Sequence, residues 1–245
     1  MGAAGPAIGA LVVEEMAVSE VAAAPGAREV YERVWRHPAY RVYAPGERWV
    51  DTFRVVAGVE AGETVVDWGC GTGRAGLMLA RMGCRVVLVD CAGNSLDPAV
   101  EVAVAGAWSA RLTSLVADLT APGWGLPAEH GYCTDVLEHL PAEGIGQALQ
   151  VMLGSATRGV FFSISTVPDG CGPALIGAPL HLTIRPAEWW ARRFEEAGGA
   201  VRWAEEQGSE ALFHVVRQEA WRCHWKDGKI RWERTYGRDP KRYPG

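Results

Sequence analysis

The stretch VVDWGCGTGRAG, residues 65–76, sets glycines at 69, 71, 73 and 76 directly behind an apolar run. A glycine turn between a buried strand and a helix lets backbone N–H groups approach a ligand where a Cβ would collide, at the positive end of the helix dipole. Carboxylates recur at the ends of the β-rich runs around it: Asp67 in TVVDW, Asp90 closing RVVLVD and Asp118 closing LTSLVAD. Further on, TDVLEHL (134–140) supplies Asp135, Glu138 and His139, and PLHLTIRP carries His181. Glycines with carboxylates suit a nucleotide or nucleoside; the later Glu-His pair suits proton transfer.

Two cofactors fit the glycines alone. Read from Gly71, GTGRAG is the dinucleotide pattern, whose glycines hold a pyrophosphate and whose strand-closing acid binds ribose hydroxyls; Asp90 follows Gly73 by 17 residues, near the ~20 of that fingerprint. Read from Asp67, DWGCGTG puts a carboxylate just inside the strand end. There it repels a pyrophosphate and can meet a cationic amino-acid tail. Asp118, followed by a backbone amide, can accept from the amino group of an adenine. These features favour S-adenosylmethionine over a nicotinamide dinucleotide.

With these motifs in this order, the region 60–217 resembles the class I S-adenosylmethionine-dependent methyltransferases, in particular the group whose segment after the fourth strand reads like VLEHL. The resemblance implies a doubly wound, Rossmann-like α/β fold with a seven-stranded, mostly parallel sheet and an antiparallel last strand. It implies S-adenosylmethionine at the carboxyl ends of the first strands and methyl transfer to a substrate nucleophile. Asp67, Gly69, Cys70, Gly71 and Gly73 match the turn around the methionine moiety, and Asp90 the ribose-binding acid. Asp118 and Leu119 match the adenine-binding pair, and Thr134, Asp135 and Val136 the segment lining the sulfonium. Cys91 stands where relatives carry a hydrophobic residue against the adenine; a thiol can stack softly there.

On the acceptor side, Glu138 and His139 are the candidate catalytic base, unless Glu138 caps a helix and His139 merely packs. Asp135, Glu138, His139 and His181 are also similar to the metal-holding residues of small-RNA 2′-O-methyltransferases, with Asp in place of the usual Glu; the reading retained is a site without metal. Arg41 could pair with the cofactor carboxylate. Tyr40 and Tyr43 in the same YRVYAPGE segment, His181, and Trp189 of the helix PAEWW are candidate substrate contacts.

The elements that must position these groups alternate. TVVDW, RVVLVD, LTSLVAD, YCTDV and GVFFSIS read as strands, separated by helices over 74–83, 97–108 and from Pro141, which means βαβ units and a parallel sheet. Helix 186–198 precedes AVRWAEE and ALFHVVR, a terminal hairpin. Before the glycines, Arg28–Trp35 and Pro45–Ala57 read as helices of a flap, the second with Trp49, Val50, Phe53 and Val56 at helical spacing.

The 245 residues fit one domain, with 1–27 a leader, 28–217 the methyltransferase domain and 218–245 an extension packed on it. No run approaches the ~18 apolar residues of a membrane span. Six cysteines without CxxC spacing read as reduced thiols of a cytoplasmic protein. Net charge is −5, but 217–245 holds nine Lys/Arg against four Asp/Glu, including all three lysines, interleaved with Trp and Tyr. This tail reads as a hairpin turning at 226–229, with RNA binding as its rival. The functional expectation is methylation of O, N or C of a small or medium-sized molecule; an RNA-directed methyltransferase and a non-catalytic binding or docking module are the alternatives.

Overall fold

Residues Val65, Val66, Asp67 and Trp68 are all buried, so the first strand is covered on both faces, as the centre of a parallel sheet demands. The computed structural model describes residues 26–42 and 44–218, and the backbone of 221–226 and 229–234. The strands are β1 (Thr64–Trp68), β2 (Arg85–Asp90), β3 (Leu112–Val116), β4 (Ala128–Thr134), β5 (Ala156–Ser165), β6 (Gly199–Gln207) and β7 (Glu210–Arg217). Their order is β3-β2-β1-β4-β5-β7-β6. β1 pairs in parallel with β2 and β4, while β7 is antiparallel to both β5 and β6. The order reverses between β1 and β4, which opens a crevice at their carboxyl ends.

Helices α1 (Ala27–Val34), α2 (Pro38–Val42) and α3 (Val50–Ala57) form the flap, and α4 (Arg74–Arg81), α5 (Pro98–Ala105) and α6 (Ala142–Ser155) join successive strands. α7 (Cys171–Ile176) and α8 (Ala187–Glu196) follow β5. One sheet face buries Phe53, Leu79, Leu88, Tyr132 and Phe161; the other buries Trp68, Met152, Phe162, Trp190, Phe194 and Phe213. Each fully buried side chain of this size contributes about 1.5–3 kcal/mol relative to exposure.

Several boundaries differ from the sequence expectation. Pro45–Ala57 is not one helix: Pro45–Trp49 is a 3₁₀ turn that leads into α3. Gly46 causes this, because its carbonyl accepts from the Tyr132 hydroxyl and a Cβ there would lie 2.6 Å from Thr134 Oγ1. α5 starts at Pro98, capped by Asp97 Oδ1 accepting from Ala99 N–H at 2.9 Å, and stops at Ala105. β3 ends at Val116, leaving Asp118 in the following loop. β4 starts earlier than expected and ends at Thr134, since Asp135 turns left-handed at φ 58°.

The flap is stitched to the far side of the sheet. Trp49 Nε1–H and Ser163 Oγ–H both donate to Glu210 Oε2, at 2.8 and 2.6 Å, and Arg48 pairs with the same carboxylate. In the tail, Trp221–Lys226 (β8) and Lys229–Arg234 (β9) pair antiparallel as a separate two-stranded sheet. The tail's side chains and its turn at 227–228 lie outside the described residues, as do 1–25 of the leader. The described cysteines, Cys70, Cys84, Cys91, Cys133 and Cys171, are free thiols. No described helix is long and apolar enough to cross a membrane.

Candidate active site at the carboxyl ends of β1 and β4

Behind β1 the chain turns through Gly69, Gly71 and Gly73, at φ 68°, 50° and 70°, a region that L side chains seldom adopt. Gly69 is needed twice over, because a Cβ there would come 2.4 Å from Val136 Cγ2. The turn after β1 and the segment after β4 therefore touch, and the motifs 65–76 and 134–140 become one wall. Between them and the flap lies a narrow cleft, partly open to solvent. Its floor is Asp67, Gly69, Cys70, Gly71, Thr72 and Ala75; its sides are Thr134 and Asp135, and its roof is Trp35, Tyr40 and Ala44–Glu47.

The floor is electrostatically negative. Asp67 is 3% exposed and its Oδ2 has no hydrogen-bond partner. Burial, and then the charge of Asp90, push its carboxyl up to about 7, partly offset by the Gly76 backbone N–H. Asp90 Oδ2 accepts from Gly71 N–H and Oδ1 from Ala92 N–H, both at 2.9 Å. Burial raises its carboxyl as well, against those two bonds. No cation faces this floor among the residues that line it, so a positively charged ligand is favoured and a phosphate chain is not.

Asp90 is thus tied to the glycine turn and does not line the cleft. Asp118 lies just past β3, with Oδ1 accepting from the Thr120 N–H and hydroxyl, both at 2.8 Å, and Leu119 beside it is buried. Burial and the charges of Asp90 and Asp118 push the Cys91 thiol up to about 12, which keeps it a neutral, soft group. Trp35 lies over the turn, 3.0 Å from where a Gly71 Cβ would stand.

The Arg41 guanidinium donates to the carbonyls of Trp35, Asn94 and Leu96, which pins the flap to the loop after β2. Trp189 sits on α8 against the edge of Trp190, with the Arg193 guanidinium 4.7 Å over its ring, outside the lining of the cleft. Tyr40 does line it, while Tyr43 lies outside the described residues.

Beside Asp135 the structure assembles a second constellation. One ligand-bearing atom from each of Asp135, Glu138, His139 and His181 lies within 4.8 Å of the others. Glu138 is fully buried; it takes the Ser165 N–H on Oε1, and Oε2 has no partner. Burial and then the Asp135 charge push its carboxyl up to about 8. Burial opposes charge on His139, but hydrogen bonding to Asp135 and the charges of Glu138 and Asp135 outweigh it and raise the imidazole. Burial likewise opposes ionisation of Asp135, and His139 and His181 outweigh it and hold the carboxyl low.

The sequence reading missed Tyr31 and Trp35. Tyr31 Oη lies 2.8 Å from His139 Nδ1, and Trp35 roofs the cleft. They are four residues apart, Tyr31 on α1 and Trp35 at its C-cap with helical backbone angles, hence on one face, and that spacing was the available signal.

Residues 65–158 match the family model described as "Methyltransferase domain". Among solved structures, magnesium protoporphyrin IX methyltransferase from Synechocystis PCC 6803, with bound S-adenosylhomocysteine, is similar at TM-score 0.58 and 20% identity, over 77% of this chain and 93% of that one. The 1,6-didemethyltoxoflavin-N1-methyltransferase from Burkholderia thailandensis is similar at TM-score 0.56 and 17% identity, over 80% and 92%. The [4+2]-cyclase SpnF has TM-score 0.57 and 15% identity, over 70% and 81%. Comparison with curated proteins finds no match. The domain match, the strand order and the glycine turn together show a methyltransferase domain built on a Rossmann-like sheet. The matched domain marks the chain as an enzyme, and the VLEHL-like group rests on the motif alone.

Proposed function

We propose that the chain transfers the methyl group of S-adenosylmethionine to an oxygen, nitrogen or carbon of a small or medium-sized molecule. The observation that carries this reading is the cleft floored by Asp67 and the three left-handed glycines, walled by Asp135. A buried carboxylate with one oxygen unpartnered suits the ammonium and sulfonium of the cofactor. In this reading Asp67, Gly69, Cys70, Gly71 and Gly73 take the methionine moiety, Asp90 the ribose, and Asp118, Leu119 and Cys91 the adenine. Trp35 covers the ribose-side turn and has to shift as the cofactor enters.

The reagent carries its own activation, so the protein's task is in-line alignment and removal of water. Thr134, Asp135 and Val136 flank the sulfur, and the acceptor lies against Glu138, His139 and His181, with Tyr40 at the roof. His139 and Glu138 activate the acceptor. The compounds named for two structural neighbours, magnesium protoporphyrin IX and 1,6-didemethyltoxoflavin, support a small-molecule acceptor. A cyclase on the same fold is a reminder that the acceptor site, not the sheet, sets the chemistry. The comparisons do not favour the RNA-directed or non-catalytic alternatives.

The test is calorimetry with S-adenosylhomocysteine, followed by transfer of labelled methyl from the cofactor to a small-molecule panel. Binding at micromolar affinity that Asp67→Asn weakens, with label appearing in a small product, is expected. Undiminished affinity in Asp67→Asn overturns the assignment of the floor.

A further inference from the structure

The cluster beside the cleft has the features of a built metal site. Four donors of mixed type, two carboxylates and two imidazoles, have ligand atoms within 4.8 Å of one another. Ligands about 2.0–2.2 Å from one ion lie about 3–4.3 Å from each other, so small side-chain shifts close the set. One donor atom is buried and unpartnered, Glu138 Oε2 on a residue with 0% exposure; His139 Nε2, on one with 8%, has only the distant Asp135 Oδ2 at 3.9 Å. Leaving such atoms unmatched costs stability unless something outside the protein completes them.

The imidazoles are also oriented as ligands. His181 Nδ1 lies 2.7 Å from the Val167 carbonyl, which can only accept; Nδ1 therefore carries the proton and Nε2 presents a lone pair. His139 Nδ1 meets the Tyr31 hydroxyl at 2.8 Å, leaving Nε2 facing Asp135 Oδ2 at 3.9 Å. An outer partner on the far nitrogen is the usual support of a metal-bound histidine. The set is held together although 42 residues separate His139 from His181. Leu182 and Thr183 N–H donate to the Glu138 carbonyl at 2.8 and 2.9 Å, clipping the 181–183 segment onto the 3₁₀ turn Leu137–His139.

We propose that Asp135, Glu138, His139 and His181 bind one divalent first-row transition cation. Two neutral imidazoles with two carboxylates suit Mn²⁺, Fe²⁺, Co²⁺ or Zn²⁺, whereas Mg²⁺ prefers oxygen alone. Binding itself does not depend on the proposed function; its consequence does. Asp135 belongs to both the cluster and the cleft wall, so the ion lies next to the methionine end, where an acceptor oxygen that joins its coordination sphere is acidified. In that form, His139 and Glu138 activate the acceptor by holding the ion and not by taking the proton directly.

The experiment is a Co²⁺ titration of the chelator-washed full chain, read by visible d–d absorption and calorimetry, with Zn²⁺ as competitor. One Co²⁺ per chain, displaced by Zn²⁺, is expected, with affinity lowered about tenfold or more in both His181→Ala and Glu138→Gln. Circular dichroism checks that each variant is folded; His181 is only half-buried, so its replacement tests the site even if Glu138→Gln unfolds. No stoichiometric binding, or equal affinity in wild type and folded variants, overturns the proposal. S-adenosylhomocysteine is titrated into the same samples. Homocysteine-nucleoside binding without Co²⁺ binding sinks the metal site and leaves the methyltransferase reading standing; Co²⁺ binding alone does the reverse.

Discussion

The hydroxyl of Tyr31, on the first flap helix, lies 2.8 Å from Nδ1 of His139, 108 residues further along the chain, and the two rings meet edge to face. The flap is therefore keyed directly to the acceptor cluster: what orients His139 also closes the roof over the cofactor cleft. Burial raises the Tyr31 phenol well above its usual range, so it stays a neutral hydroxyl.

Tyr31→Phe removes one hydrogen bond to a buried ring at little cost in volume. A loss of about 0.5–1.5 kcal/mol in stability is expected. The more telling readout is kinetic: kcat falls as His139 loses its orientation, while the calorimetric affinity for S-adenosylhomocysteine changes little.

Gly69→Ala is expected to abolish cofactor binding. The added methyl meets Val136 Cγ2 at 2.4 Å, and φ 68° is strained for any residue with a Cβ. Val136→Ala in the same chain relieves the collision but not the backbone strain of about 1–2 kcal/mol. Partial recovery of folding, measured by urea denaturation, is the expected outcome for the double variant.

Cofactor affinity depends on pH through Asp67. Its folded pKa is raised to about 7, so below that pH the site holds a proton that a cationic ligand must displace. Affinity for S-adenosylmethionine is expected to fall as pH drops from 8 to 6. The slope should flatten in Asp67→Asn, measured by calorimetry at constant ionic strength.

A second pH effect lies at the opposite end of the sheet. His214 is buried beneath Gly159, and burial, then the charges of His130, Arg158 and Arg202, push its pKa down to about 4, against a hydrogen bond from its ring to the Arg158 backbone carbonyl. Burial also lowers His130, although Glu63 works against this. Because the folded pKa of His214 is below the unfolded one, its contribution is present above about 6.5 and lost as pH falls toward 4. On the order of 2–3 kcal/mol is at stake. Urea midpoints measured from pH 7 to pH 4 should fall less steeply in His214→Gln than in the parent.

Trp35 covers the glycine turn, and Arg41 holds the flap down through two carbonyls of the loop after β2, those of Asn94 and Leu96. Trp35→Ala is expected to speed S-adenosylhomocysteine association in stopped-flow measurements and to speed dissociation more, leaving weaker net affinity. A slower association would show that the indole guides the ligand in and does not gate it.

Much of this architecture is legible in local patterns. The strands around 64–68, 85–90 and 159–165 are apolar runs of strand length, and α6 shows Ile145, Leu149 and Met152 on one buried face as their spacing dictates. Asp118 and Asp135 were read as strand ends, yet both stand in loops, because the chain leaves β3 and β4 one or two residues sooner. Pairing with neighbours decides where a strand stops, and a single run carries little information about its neighbours.

The sequence by itself determined the sheet, the glycine turn and the inventory of carboxylates and histidines, since spacing along a strand or helix is a local property set by backbone geometry. Only the tertiary structure decided which of them meet: that Arg41 reaches the loop after β2, that Trp189 stacks under an arginine, that Tyr31 reaches His139, and that His181 joins Asp135 and Glu138. Those contacts span 43 to 108 residues or, for Trp189 and Arg193, hang on the rotamer of a long side chain. They are fixed by packing around the crevice between β1 and β4, where the strand order reverses, and no pattern along the chain records that distance.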